Sequence, residues 1–169
     1  MGLEADDSLR VRRAKRVDLA AIASLVRQCT PAEASIGEPE VTDWLFSKGL
    51  WVADDGQSLL GVAAWQAENL VAVTDVFHVA PAHPPALAGR PLLEKTEAEA
   101  ALLMCEANVM VLPDWIPEPM RAFLQDQGYE TVAWEELHAI WREVLKEYLT
   151  GQENLMVKRL RERMVMVPL

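Results

Sequence analysis

Asp75 and His78 lie three residues apart in an otherwise apolar stretch, Leu70–Val79, and both side chains can take part in proton transfer. A carboxylate accepts a proton and draws in a cation, while an imidazole titrates near neutrality. Strand alternation sends the two to opposite faces, unless a β-bulge re-aims one of them. Asp75 reads either as a functional carboxylate in a cleft or as a strand residue with a local hydrogen-bond partner. Immediately downstream, Pro81–Pro91 holds four prolines and one glycine. The segment includes the N–H groups of Ala86, Leu87, Ala88 and Gly89 and the cation of Arg90. Its prolines make it a stiffened connection between the strand and the helix that follows. Cys29 and Cys105 fall in apolar helical patterns and read as small buried hydrophobes. Three histidines and two cysteines this dispersed provide no metal-ligand spacing.

The elements that must position these residues follow from periodicity. Ser8–Ala14 alternates Leu9 and Val11 with arginines, as a half-buried strand does. Asp18 has the place of an N-cap for an amphipathic helix carrying Ile22, Leu25, Val26 and Cys29, and Glu40–Ser47 forms a second short helix. Trp51–Ala53, the Asp54–Gln57 turn and Leu59–Gln66 read as a hairpin, and Leu70–Val79 follows as a third strand. A helix is expected over Leu92–Glu106, a fully buried strand over Asn108–Leu112, and a helix over Met120–Gln127 stopped by Gly128. Tyr129–Trp134 and Leu155–Leu160 read as strands, and Met164–Val167 as one more. Between the first two of these, Leu137, Ile140, Trp141, Val144, Leu145 and Tyr148 share one face of a helix near 137–149. That face and the apolar tail pack within the chain or meet a second copy in a homodimer. The domain is expected over 9–160, after a flexible N-terminal segment 1–8 and before a C-terminal extension 161–169.

The 169 residues carry a net charge of −10, unevenly spread. Residues 17–157 hold seven bases against 22 acids, whereas the segments on either side are net positive. Such a body offers no field to a polyanion, which excludes general nucleic-acid binding. No apolar run approaches the ~20 residues needed to span a bilayer, and the first residues resemble no secretory leader, so the expectation is a cytoplasmic protein without a membrane partner.

Three local patterns carry a resemblance: Val11-Arg12-Arg13-Ala14 with Asp18-Leu19 and Ile22; Phe77-His78-Val79-Ala80-Pro81 leading to Leu92-Leu93-Glu94; and Gly128-Tyr129 with Met156-Val157-Lys158-Arg159-Leu160. In this order and spacing the sequence resembles the GNAT (Gcn5-related N-acetyltransferase) superfamily over nearly its whole length. The resemblance implies an α/β fold in a single domain, with a mixed, largely antiparallel central sheet flanked by helices. It implies transfer of an acetyl group from acetyl-CoA to the amine of a small molecule or protein. It would place the pantetheine arm beside Phe77 and Val79, the diphosphate at Ala86–Arg90, and Asp75 or His78 near the reacting amine. Three positions depart from the family pattern. Pro84 stands at the basic position of the phosphate loop and Leu87 at its first glycine, while Leu124 stands where a tyrosine commonly protonates the departing thiolate. The alternative is a GNAT-like fold without catalysis that serves as a binding or assembly module.

Overall fold

The computed structural model describes residues 9–32, 36–151 and 153–162. Its strands are β1 (Arg10–Arg13), β2 (Gly49–Asp54), β3 (Leu59–Glu68), β4 (Val71–Val79), β5 (Ala107–Leu112), β6 (Glu130–Val132) and β7 (Asn154–Arg159). Its α-helices are α1 (Leu19–Cys29), α2 (Glu38–Ser47), α3 (Pro85–Leu102), α4 (Glu118–Asp126) and α5 (Ala139–Leu145). The strands form one mixed sheet in the order β1-β2-β3-β4-β5-β7-β6, so the expected α/β class with a largely antiparallel sheet is observed. β4 and β5 pair in parallel, whereas β1–β2, β5–β7 and β6–β7 run antiparallel. The chain divides into two compact units, Met1–Ala64 with Phe77–Leu93, and Trp65–Val76 with Glu94–Leu169. The segments 1–8 and 163–169, which include the expected Met164–Val167 strand, lie outside the described residues.

In the first unit, α1 buries Ile22, Ala23, Leu25 and Val26, the stripe that its sequence spacing predicts. Asp18 does not cap this helix with its side chain. Its carboxylate instead accepts the Lys15 amide at 2.7 Å and a two-pronged contact from Arg12 at 2.8 and 2.9 Å. Gly61 of β3 lies against α3: a Cβ there would stand 2.7 Å from Leu92 Cδ1 and 3.0 Å from Ala88 Cβ, closer than packed atoms come.

In the second unit, Val71 and Val73 of β4, Ala107, Val109 and Val111 of β5 and Leu155 of β7 present one apolar face, covered by Leu137 and by Trp141, Val144 and Leu145 of α5. α5 is shorter than the helix expected near 137–149, and β6 stops at Val132, short of the expected strand end at Trp134, which instead opens a 3-10 turn over Trp134–Glu136. The turn from β3 to β4 holds Asn69 and Leu70 at φ 48° and 63°, the handedness that a two-residue hairpin needs. Asparagine tolerates this conformation, whereas leucine adopts it at a steric cost. Leu70→Gly is therefore expected to raise stability by about 0.5–1 kcal/mol, after allowing for glycine's greater freedom when unfolded, read as a higher urea midpoint.

The main departure from the sequence reading is α3. It begins at Pro85, well before Leu92, and takes in Ala86 to Arg90. Proline suits a first helical turn, where its missing N–H would have no intrahelical acceptor and its fixed φ is already helical. A second proline, Pro91, is accommodated inside the helix. At the other end the helix stops at Leu102 rather than Glu106, with Met104 at φ 64° and the Cys105 amide reaching back to the Ala100 carbonyl at 2.9 Å.

Candidate active site

β4 and β5 pair in parallel over four steps, Val71↔Ala107 to Thr74↔Met110. Within the second unit both strands continue past the last step, β4 through Asp75 and Val76 and β5 through Val111 and Leu112, without further pairs to each other among the described residues. Val111 and Leu112 stay bonded to β7 on their far side. The two strands thus form a fork whose inner backbone edges run on beyond their mutual pairing. Such edges are what an extended, amide-bearing ligand pairs with when it adds itself to a sheet.

Asp75 is the first β4 residue beyond the last pair, and alternation puts it on the face of Val71 and Val73. That face is the one α5 covers, and Tyr148, just after α5, packs against the same cluster. The Tyr148 hydroxyl donates to Gln66 Oε1 of β3 at 2.6 Å. Burial pushes this phenol up to about 12, with further contributions from the negative charges of Asp75, Glu68 and Glu147. Tyr148 therefore holds its proton at neutral pH beside a carboxylate at the head of the fork. The sequence pattern marked Tyr148 only as part of an apolar helix face. No spacing rule links it to Asp75, far earlier in the chain.

His78 lies further along β4, in the first unit, and alternation turns it to the other face from Asp75. Burial lowers its imidazole to about 4, so the ring is uncharged at neutral pH. It can exchange hydrogen bonds there but offers an ammonium no charge. Cys29 donates its thiol to the Val79 carbonyl at 3.2 Å, and burial raises it to about 11, which leaves it a packing residue.

On the opposite face of the fork a buried polar chain fastens the last β4–β5 pairs. Thr74 Oγ1 donates to Asn108 Oδ1 at 2.9 Å, Asn108 Nδ2 donates to the Tyr129 hydroxyl at 2.8 Å, and Tyr129 donates to Glu97 Oε1 at 2.8 Å. Lys158 closes the chain on Glu97 at 3.0 Å. Thr74, Asn108 and Tyr129 are almost wholly buried, so their mutual satisfaction avoids the cost of orphaned polar groups and fixes where the strands part.

No protein-family model and no curated protein matches the sequence. Solved structures do. A GNAT-family acetyltransferase from Staphylococcus aureus Mu50 superposes with a TM-score of 0.70 at 12% identity, covering 90% of this chain and 99% of that one. The ribosomal-protein-S18-alanine N-acetyltransferase of Escherichia coli gives 0.68 at 12% identity over 95% and 99% of the two chains. The PaiA N-acetyltransferase of Thermoplasma acidophilum, solved in complex with coenzyme A, gives 0.65 at 14% identity over 90% and 99%. The chain has the GNAT fold.

On a GNAT fold the residues can be tested against the donor that several of these neighbours hold. The fork fits a pantetheine arm, since it offers extended backbone beside Asp75 and Val76. The start of α3 offers a diphosphate few free donors. Pro81, Pro84 and Pro85 have no N–H, and the amides of Ala80, His83 and Leu87 already donate to Leu60, Ala80 and Pro84 carbonyls at 2.8, 3.1 and 3.1 Å. Gly89 is buried inside the helix and Arg90 is exposed beyond its first turn, so the expected anion cradle over Ala86–Arg90 is not formed as a loop. Among the described residues no group of three or more His, Cys, Asp and Glu side chains could hold a metal ion, and no helix is long and apolar enough to cross a membrane.

Proposed function

We propose that this GNAT-fold protein is an N-acetyltransferase that moves an acetyl group from a thioester donor, acetyl-CoA in the first instance, to the amine of a small molecule or protein. The observation that carries the reading is the fork headed by Asp75, with Tyr148 on the same face. A bound thioester would supply an acyl carbon for an unprotonated amine to attack, with a thiolate leaving. Asp75, with Glu68 and Glu147 close to Tyr148, favours a cationic acceptor, and the Asp75 carboxylate takes the proton that the amine sheds. Tyr148 keeps a proton at its hydroxyl to hydrogen-bond the departing sulfur, the part for which Leu124 has no group. His78, with its ring uncharged at neutral pH, offers the acceptor no charge.

Calorimetric titration with acetyl-CoA tests the reading, and saturable binding followed by acetylation of a diamine detected by mass is the expected result. Absence of binding up to millimolar donor would sink it. A second reading, a GNAT-like fold that binds or assembles without catalysis, is favoured by one observation. Leu102, Leu103 and Met104 stand 76%, 58% and 52% exposed at the end of α3. That reading expects a homodimer in sedimentation equilibrium that Leu103→Glu converts to monomer.

A further inference from the structure

Residues 9–16 hold five bases and no acid, in a chain whose net charge is −10. Arg12 is neutralised inside the fold by Asp18 and Asp54. The other four, Arg10, Arg13, Lys15 and Arg16, are exposed, and among the described residues none of them pairs with a carboxylate. Two are held on aromatic rings: the Arg13 guanidinium lies 4.9 Å from the centre of the Trp51 ring, and the Arg16 guanidinium 5.6 Å from that of Phe46. A stacked guanidinium has its face occupied and its N–H rim free for a carboxylate. Phe46 and Val17 are 69% and 85% exposed, which sets apolar surface beside these charges.

β1 is also the terminal strand of the sheet, so one of its backbone edges has no strand beside it among the described residues. The register identifies the groups on that edge. The Ala14 amide donates to the Leu50 carbonyl at 2.9 Å, one step beyond the Arg13↔Trp51 pair. Alternation then turns the N–H and C=O groups of Arg10 and Arg12 to β2, and those of Val11 and Arg13 outward. The Arg13 carbonyl accepts a hydrogen bond from Arg12 Nη1 at 3.3 Å. What remains on the open edge is the Val11 N–H, the Val11 carbonyl and the Arg13 N–H, a set that an added strand of about four residues satisfies. Basic side chains on an edge repel a second basic strand, which keeps copies of β1 apart, while the same charges attract an acidic one. A lipid headgroup or a nucleic-acid phosphate would engage the guanidinium groups and leave these backbone groups unused.

We propose that the outer edge of β1 is a docking site for an acidic segment of a partner protein, which joins the sheet as an extended strand and sets its carboxylates against Arg10, Arg13, Lys15 and Arg16. Every residue of this surface belongs to the first compact unit. It uses neither Asp75 nor Tyr148, so it stands or falls independently of the acyltransferase reading. It also gives a role to a basic stretch that proton transfer and thioester chemistry leave without one.

The test is fluorescence anisotropy of the full chain with a short labelled peptide of alternating glutamate and valine. Saturable binding is expected, weakened about tenfold or more from low to high salt and by a like factor in the double variant Arg13→Glu, Arg16→Glu. Should that variant fail to fold, Lys15→Glu with Arg16→Glu, both in the turn after β1, makes the same comparison. A peptide of alternating glutamate and proline has the same charge but cannot pair as a strand, and it is expected to bind about tenfold more weakly or worse. Equal binding of the two peptides overturns the proposal, since charge alone would then hold the ligand. So does absence of binding by the glutamate–valine peptide, binding that survives the charge reversals, or a preference for phosphatidylserine vesicles or duplex DNA over that peptide.

Discussion

Arg12→Ala is expected to destabilise the protein by about 3 kcal/mol, which at this chain length lowers the melting temperature by roughly 6–12 °C. The guanidinium grips Asp18 through Nη1 and Nη2 at 2.8 and 2.9 Å and reaches Asp54 through Nε at 3.0 Å. It joins β1, the end of β2 and the turn that leads into α1. Asp18 is 6% exposed, so removing its cation leaves a buried carboxylate with the Lys15 amide as its remaining recorded donor. The lost stability is therefore mostly the cost of that stranded charge. The hydrogen bond from Arg12 is the largest cause holding the Asp18 carboxyl below its ordinary value. A depressed acid stabilises the fold above its unfolded-state value, near 3.9, and that contribution disappears as pH falls through the lower folded-state value. Urea midpoints should thus fall steeply in acid for the parent chain and more gently for Arg12→Ala. Asp18→Asn in the Arg12→Ala background should recover part of the loss at neutral pH. Equal midpoints for parent and Arg12→Ala would mean that the triad contributes nothing to folding.

That triad also marks how far pattern reading reaches. Alternation of Leu9 and Val11 with arginines is enough to find β1, and an aspartate ahead of an amphipathic run is enough to find α1. Neither tells that Asp18 turns back to Arg12 instead of capping its helix, because the choice depends on a strand and a turn meeting in space. The unbroken apolar run Asn108–Leu112 announces a strand buried on both faces. Its one polar member, Asn108, finds Thr74 and Tyr129 at separations of 34 and 21 residues, for which no period exists. The proline-rich segment after β4 misleads for a physical reason. Proline signals a break when it falls inside a helix and a start when it falls in the first turn; in α3 Pro85 stands in the first turn, while Pro91 lies inside a helix that continues past it. Asp75 was legible as a carboxylate in an apolar strand. Its neighbour Tyr148 was not, since the helix pattern that found it explained it fully as packing.

Tyr148→Phe is expected to lower the turnover rate about a hundredfold while leaving donor affinity unchanged, since it removes a proton at the leaving group and no binding surface. The pairing with Asp75 can be read without any substrate. The chain has two tyrosines, Tyr129 and Tyr148, so Tyr129→Phe leaves one phenol to follow by ultraviolet absorbance. In that background Tyr148 should ionise near pH 12, and adding Asp75→Asn should bring the ionisation down, because a negative charge that opposes phenolate formation is gone. Glu68 of β3 and Glu147, next to Tyr148 in sequence, face the same hydroxyl and remain in that variant, so the return is partial. The raised phenol also predicts a stability profile. Folding favours the neutral form, so the contribution is full below the unfolded-state value near 10 and is lost as pH rises towards 12. Tyr148→Phe should flatten that alkaline decline. If Asp75→Asn leaves the phenol titration where it was, Asp75 does not act on Tyr148. If Tyr148→Phe turns over as fast as the parent chain, the proton reaches the thiolate from water.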